Sequence, residues 1–282
     1  MAYKIKVENK YGEVLELTSN PNYKVKATGL SPMSANIVTA PVANYSGARY
    51  VSSKHQIRPI VLTIYVEQPV EVNRINLYKY IKSKDWIRVY YSNGTREVYI
   101  DGYVESFDCD FFAQTQTAQV SILCPKPQFL AVTPSKQNIA TTIGAFSFPF
   151  YEAESEPIVL SYYSKDAVLV NNTSDDEVGF IYTIQCYSEV INPMLYIEET
   201  GEHFRLNRRF TRGSIITINT NDGNKSVTCE LGGITTNIIN SVDSNSKWLK
   251  LRAGYNHILQ TARVGLDSMV GELHYINEYE GV

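Results

Sequence analysis

Short runs in which apolar and polar residues alternate, each cut off by turn-forming residues, recur along this chain and commit it to β-structure. Tyr3, Ile5 and Val7 alternate with Lys4, Lys6 and Glu8, the period of two that turns one strand face to a core and the other to water. Tyr23, Val25 and Ala27 alternate with Lys24 and Lys26 in the same way. Residues 57–66 form a nearly continuous apolar run rich in β-branched side chains, which predicts a strand covered on both faces. Residues 87–91 and 98–100 flank Asn93-Gly94, the pair that tolerates the positive φ angles of a hairpin turn. One segment departs from this period. In residues 70–84, Val72, Ile75, Tyr78 and Ile81 recur at helical spacing with Leu77 beside them, predicting one amphipathic helix laid against the sheet. Farther on, Phe107, Cys109 and Phe111 share one predicted strand face and leave Asp108 and Asp110 on the other.

A chain of 282 residues is long for one domain and predicts two. The strand at 120–124 runs into Pro125 and Pro127, which cannot continue a hydrogen-bonded ladder. Residues 131–157 read as a connector, with Pro134, Pro149 and Pro157 around Gly144-Ala145-Phe146-Ser147-Phe148-Pro149-Phe150. A solvated linker is polar, so Phe146, Phe148 and Phe150 are expected to pack, against a domain or a neighbouring subunit. In the second half strands are expected at 158–160, 167–170, 180–187, 194–197, 215–219, 227–231, 248–251 and 273–279, with a turn at Asn221-Asp222-Gly223-Asn224. The expected organisation is mainly β: a domain over 1–130, a connector over 131–157 and a second domain over 158–282. Many short strands with regular turns predict sandwiches or barrels rather than a parallel α/β sheet.

The residues offer little chemistry. A net charge of -3 gives no electrostatic reason to expect binding to nucleic acid or anionic membrane. The chain opens without a signal-like apolar core, no stretch is long enough to cross a bilayer, and the expectation is a protein made in a reducing cytosol. There Cys109, Cys124, Cys186 and Cys229, none in a CxxC spacing, are expected to act as small buried hydrophobes. His55, His203, His257 and His274 are scattered, so no metal or cofactor site is expected; Asp108 and Asp110 alone supply too few oxygens for calcium. Glu152, Glu154 and Glu156, or Asp175, Asp176 and Glu177, supply the carboxylate pairs of a glycosidase only if buried, and both clusters lie in loop-like sequence. No nucleophile elbow and no phosphate-binding loop occurs. The densest basic stretch, Arg205 to Arg212, has Glu198, Glu199 and Glu202 nearby to dilute its field. The residues point to no enzyme. With 21 tyrosines, the chain fits half-buried strand faces and protein contacts equally.

Several segments carry a resemblance in order. They are Arg58-Pro59-Ile60-Val61-Leu62, Arg74-Ile75-Asn76-Leu77 and the run from Val120 through Cys124-Pro125-Lys126-Pro127-Gln128-Phe129, followed by the phenylalanine–proline connector. In the second half they are Asn171-Asn172-Thr173-Ser174-Asp175, Gly213-Ser214-Ile215-Ile216-Thr217-Ile218-Asn219-Thr220, the run Trp248-Leu249-Lys250-Leu251-Arg252-Ala253-Gly254-Tyr255-Asn256, and the terminal Tyr279-Glu280-Gly281-Val282. Together these resemble the distal tail proteins of long non-contractile-tailed phages, the siphovirus tail component family. The chain departs at Lys126, where the family is typically acidic, at Asn171–Asp175, which lacks the family's glycine, and at Ala253, where proline is common.

The resemblance implies a tail-tube-like first domain with one helix, closing a hexameric ring around the DNA path, and a galectin-like β-sandwich as the second. The implied role is a structural virion protein at the distal end of the tail, joining the tail tube to baseplate, tail-tip or receptor-binding proteins in host attachment. DNA would pass through the lumen without specific binding, and no membrane partner is implied. The alternative is a carbohydrate-binding module that aids adsorption, with Trp248 and Tyr255 as candidate sugar contacts. Here His203-Phe204-Arg205 superficially resembles a sugar-binding strand. However, no Asn-Pro-Arg follows it, and Trp248 precedes Leu249 rather than the glycine and glutamate such a site needs.

Overall fold

A computed structural model describes residues 3–282 apart from 44–45, 114, 140–141, 145–160 and 164–166. The chain divides into two units, Met1–Val132 with Glu278–Val282, and Thr133–Asn277. In the first unit the elements are β1 (Lys4–Asn9), β2 (Val14–Glu16), β3 (Tyr23–Thr28), β4 (Ala35–Pro41), β5 (Ala48–His55), β6 (Arg58–Val66), α1 (Val70–Tyr80), β7 (Trp86–Ser92), β8 (Glu97–Cys109), β9 (Thr117–Cys124) and β10 (Phe129–Ala131). Eight of these strands join a nine-stranded sheet whose path is β2-β1-β7-β8-β9-β6-β3, with β10 paired to β8, and among the described residues β4 and β5 pair only with each other.

Alternation does the work expected of it. Ile5 and Val7 on β1, Ile87 and Val89 on β7, Val98 and Ile100 on β8 and Val120 and Ile122 on β9 all turn into one core. The hairpin β7–β8 pairs Ser92 with Glu97, and the Asn93 side chain accepts the Thr95 and Arg96 amides inside the turn. The run at 57–66 is covered on one face only. Ile60, Leu62 and Ile64 are buried, whereas Pro59 and Tyr65 are exposed. β-branching made the run look continuous, although its burial has the period of two.

The helix also differs from expectation, in which face it buries. Its buried residues are Asn73, Arg74 and Leu77, whereas Val72 and Ile75 are 63% and 48% exposed. Polar anchors set this rotation. The Tyr23 hydroxyl donates to the Asn73 carbonyl at 2.9 Å, and Asn73 Nδ2 donates to the Glu67 carbonyl at 2.9 Å. Arg74 reaches Gln116 Oε1 at 3.0 Å, and its guanidinium lies 4.5 Å from the Phe111 ring centroid.

The second unit contains β11 (Ser135–Asn138), β12 (Thr142–Gly144), β13 (Ser161–Tyr163), β14 (Val168–Asn172), β15 (Ile181–Cys186), β16 (Val190–Ile197), β17 (Glu202–Arg205), β18 (Arg209–Phe210), β19 (Ile215–Asn219), β20 (Ser226–Leu231), β21 (Ile234–Asn237), β22 (Gly254–Val264) and β23 (Met269–Tyr275). One sheet runs β11-β23-β15-β19-β20-β21, and the other runs β14-β22-β16-β17 with β18 on β16. Tyr182, Ile216, Val227 and Leu273 from the first sheet and Leu195, Phe204 and Ile258 from the second share one core, so the unit is a sandwich. Residues 248–251 form no strand. They are an extended segment in which Leu249 and Leu251 are buried and Leu251 makes a single bridge to Val178. The long β22 that follows was not anticipated; the strand expected at 158–160 lies outside the described residues.

The last strand, β24 (Glu278–Tyr279), leaves the sandwich and pairs with β10, setting Phe129 opposite Tyr279 and Leu130 opposite Glu278. Thus Glu278–Val282, read with the second domain from the sequence, joins the first unit, and the whole second unit is an insertion between β10 and β24.

Candidate interaction site

The motif residues gather at buried polar braces. Arg58 is 1% exposed at the start of β6. Its guanidinium donates to the carbonyls of Gly29 (2.6 Å), Ser31 (2.7 Å), Pro127 (2.6 Å) and Glu280 (2.6 Å), and its carbon lies 4.7 Å from the Phe129 ring centroid. Three segments that are remote in sequence thus share one cation, whose charge the carbonyl dipoles stabilise in place of water. Glycine is required twice here. Gly29 has φ +84° and a Cβ on it would meet the Pro59 carbonyl oxygen at 2.2 Å; a Cβ on Gly281 would meet the Pro32 ring at 2.8 Å.

In the second unit, Asn172 donates to the Leu251 carbonyl at 3.0 Å and accepts the Ser174 amide at 2.9 Å. Asn256, fully buried, accepts the Arg252 amide and donates to the Arg252 and Gly254 carbonyls at 2.8–3.0 Å. Thr220 Oγ1 closes a two-way bond with the Phe180 backbone. Such braces satisfy backbone groups that would otherwise be buried unpaired, each worth about 1–3 kcal/mol.

No catalytic constellation forms among the described residues. His55 faces Glu280, His257 faces Glu199 and His274 faces Glu272, as separate surface pairs on different elements. No group of three metal-ligating side chains converges among the described residues. Asp175, Asp176 and Glu177 are exposed, and Glu177 pairs with Lys250 at 2.9 Å. The basic stretch is split: Arg209 pairs with Glu189, and Arg208 lies 6.0 Å from the Phe210 ring. Of the thiols, Cys109 is half-buried and the other three are buried; burial pushes Cys124 up to about 12 and Cys186 up to about 11.

Trp248 packs tilted on Phe204 at 5.1 Å, with the Lys225 ammonium 5.9 Å from its ring. Tyr255, the second residue of β22, is 64% exposed. Phe146, Phe148 and Phe150, and Glu152, Glu154 and Glu156, lie outside the described residues.

The exposed apolar surface of the first unit lies elsewhere. β4 and β5 form an arm on which no residue is buried, with Ile37 60%, Tyr50 59% and Val51 56% exposed. Beside the C-terminal end of α1 is an open groove of ≈ 900 Å³, lined by Tyr78, Ile81 and Lys82 from the helix side and by Phe107, Asp108, Cys109 and Asp110 from β8 and its turn. Tyr78 and Phe107 meet edge to face at 5.1 Å in its wall. Val72 and Ile75 continue the groove's apolar stripe onto the open helix surface, and Phe112 stands fully exposed at the turn. Nothing in the alternation of residues 35–55 singled out the arm. The helical spacing of Val72, Ile75 and Tyr78 did mark a real stripe, but half of it faces outward.

Residues 151–268 match the family model of the siphovirus-type tail component, C-terminal domain. No curated protein sequence matches the chain. Among solved structures, the chain is similar to the Dit protein (gp 19.1) of phage SPP1, described as a paradigm of the hub adsorption apparatus in phages infecting Gram-positive bacteria. The TM-score is 0.67 at 10% identity, over 99% of each chain. A chain of the phage P2 baseplate in its activated conformation with calcium aligns over 100% of both chains at 10% identity, with a TM-score of 0.49. The likeness to the SPP1 protein is one of fold.

Proposed function

We propose that this chain is a structural distal tail protein, a baseplate hub at the end of a phage tail, because residues 151–268 match the siphovirus-type tail component model. In this reading the first unit closes a ring, hexameric by the family resemblance, around the DNA path. The second unit meets baseplate, tail-tip or receptor-binding proteins, and the chain catalyses nothing. Its place is the virion tail, after synthesis in the host cytoplasm.

The arm is the observation that supports assembly most directly. A two-stranded hairpin is marginal in water by itself, and this one buries no side chain within its own unit. An ordered arm that displays Ile37, Val38, Tyr50 and Val51 finds its stability against another protein surface. The half-covered outer face of β6 fits the same reading, with Tyr65 exposed where a strand buried on both faces was expected. Light scattering coupled to size exclusion, with negative-stain imaging, tests the proposal. A ring of uniform copy number is expected, and a strict monomer at high concentration would overturn it.

The sugar-binding alternative asks for an open aromatic platform at Trp248 or Tyr255; Trp248 is flanked by Phe204 and Lys225 whereas Tyr255 is exposed, and a screen against host-wall glycans with W248A and Y255A as controls separates the two readings.

A further inference from the structure

Charge is unevenly distributed within the first unit. Residues 17–66, which include the whole arm, contain no Asp or Glu, and the arm carries Arg49 and Lys54. Residues 97–110, which are β8 and the start of its turn, contain Glu97, Asp101, Glu105, Asp108 and Asp110 and no Lys or Arg. Asp101 is neutralised within the unit by Arg88 at 2.6 Å, but Asp108 and Asp110 border the open groove. One molecule therefore presents an apolar cationic projection and an apolar recess whose rim carries Asp108 and Asp110 on the β8 side and Lys82 on the helix side.

We infer that the arm of one copy seats in the β8–α1 groove of the next, an inference that rests on the ring reading above. The arm's Ile37, Tyr50 and Val51 would cover the stripe formed by Ile75, Tyr78 and Phe107, while Arg49 and Lys54 face Asp108 and Asp110. Apolar matching supplies the attraction, and the opposite charges set register and exclude the wrong orientation. The two patches differ, so the contact is head-to-tail, and head-to-tail contacts close into rings when the rotation allows. A cationic arm also attracts DNA phosphates, but phosphates leave the exposed Ile37, Val38, Tyr50 and Val51 without a partner.

The groove holds a native probe, the half-buried Cys109. In V51C, a short bismaleimide is expected to link arm to groove between copies and give a ladder of covalent oligomers on denaturing gels; V51C/C109S is expected to give none. R49E/K54E is expected to weaken self-association about tenfold, and mixing it with D108K/D110K is expected to restore the contact. A ring by light scattering without the Cys109-dependent ladder would overturn the inference and leave the ring reading standing. A monomer by light scattering would overturn the ring reading and the inference with it. If R49E/K54E reduced only the affinity for duplex DNA and left self-association unchanged, the inference would likewise be overturned.

Discussion

At the scale of single residues, buried polar groups hold this fold at the points where remote segments meet. Arg58 serves four carbonyls from three segments, so replacing it leaves several acceptors buried and unpaired. R58M is expected to cost about 3–5 kcal/mol, read as a lowered denaturant midpoint. R58K is expected to recover little, because an ammonium has three donors and no planar fork. The thiols give a second expectation: Cys124, Cys186 and Cys229 are buried, and burial keeps Cys124 and Cys186 protonated at neutral pH. In an aromatic-disulfide assay these three thiols should stay silent until the protein is unfolded. The sequence showed Arg58, Asn172, Thr220 and Asn256 as members of motifs, but not what they do. An arginine or asparagine reads as surface unless its partners are known, and those partners are backbone carbonyls and amides that no side-chain pattern encodes. Trp248, read from the sequence as a candidate sugar contact, is half-buried and packs against the second unit's core ahead of buried Leu249 and Leu251.

At the scale of elements, strands with a buried face were the most legible, and those without one the least. β1, β3, β7 and β19 follow the alternation of their residues because a core selects it. The arm answers to no core in its own unit, so Ile37, Val38, Tyr50 and Val51 occupy positions that no intramolecular period demands. The misplaced helix face has a similar origin: hydrogen bonds to Asn73 and Arg74 rotate α1 and leave Val72 and Ile75 exposed. The arm's independence has a measurable consequence. Replacing residues 36–54 by a short glycine-serine turn is expected to shift stability by no more than about 0.5 kcal/mol, as for ordinary surface changes. The same deletion should abolish assembly, so circular dichroism melts and light scattering are expected to part company.

At the scale of the whole molecule, the second unit is inserted in the chain of the first. Two domains were expected from length and from the prolines near residue 127. The return of the last residues to the first unit was not, because a two-residue strand such as β24 carries almost no periodic signal. Its place is set by Tyr279 opposite Phe129 and by the Arg58 bond to Glu280. Since β10 and β24 already lie side by side, deleting residues 133–277 and joining the ends through Asn-Gly is expected to leave a folded first unit. Dispersed amide resonances and a cooperative melt would establish this; a molten product would show that the first unit depends on its insertion.

The β10–β24 stem also bears on how the molecule withstands force. Any tension applied to the inserted unit returns along two polypeptide strands, and pulling both the same way peels a ladder apart one rung at a time. This ladder is only two residues long. The guanidinium of Arg58 grips Pro127, just ahead of one strand, and Glu280, just after the other, so it sits where the unzipping would have to stop. Lys126 on Glu278, and Arg96 on the Gly281 carbonyl and the Tyr279 ring, hold the returning strand beside it, so a load on the inserted unit would meet three cations before it reached the core.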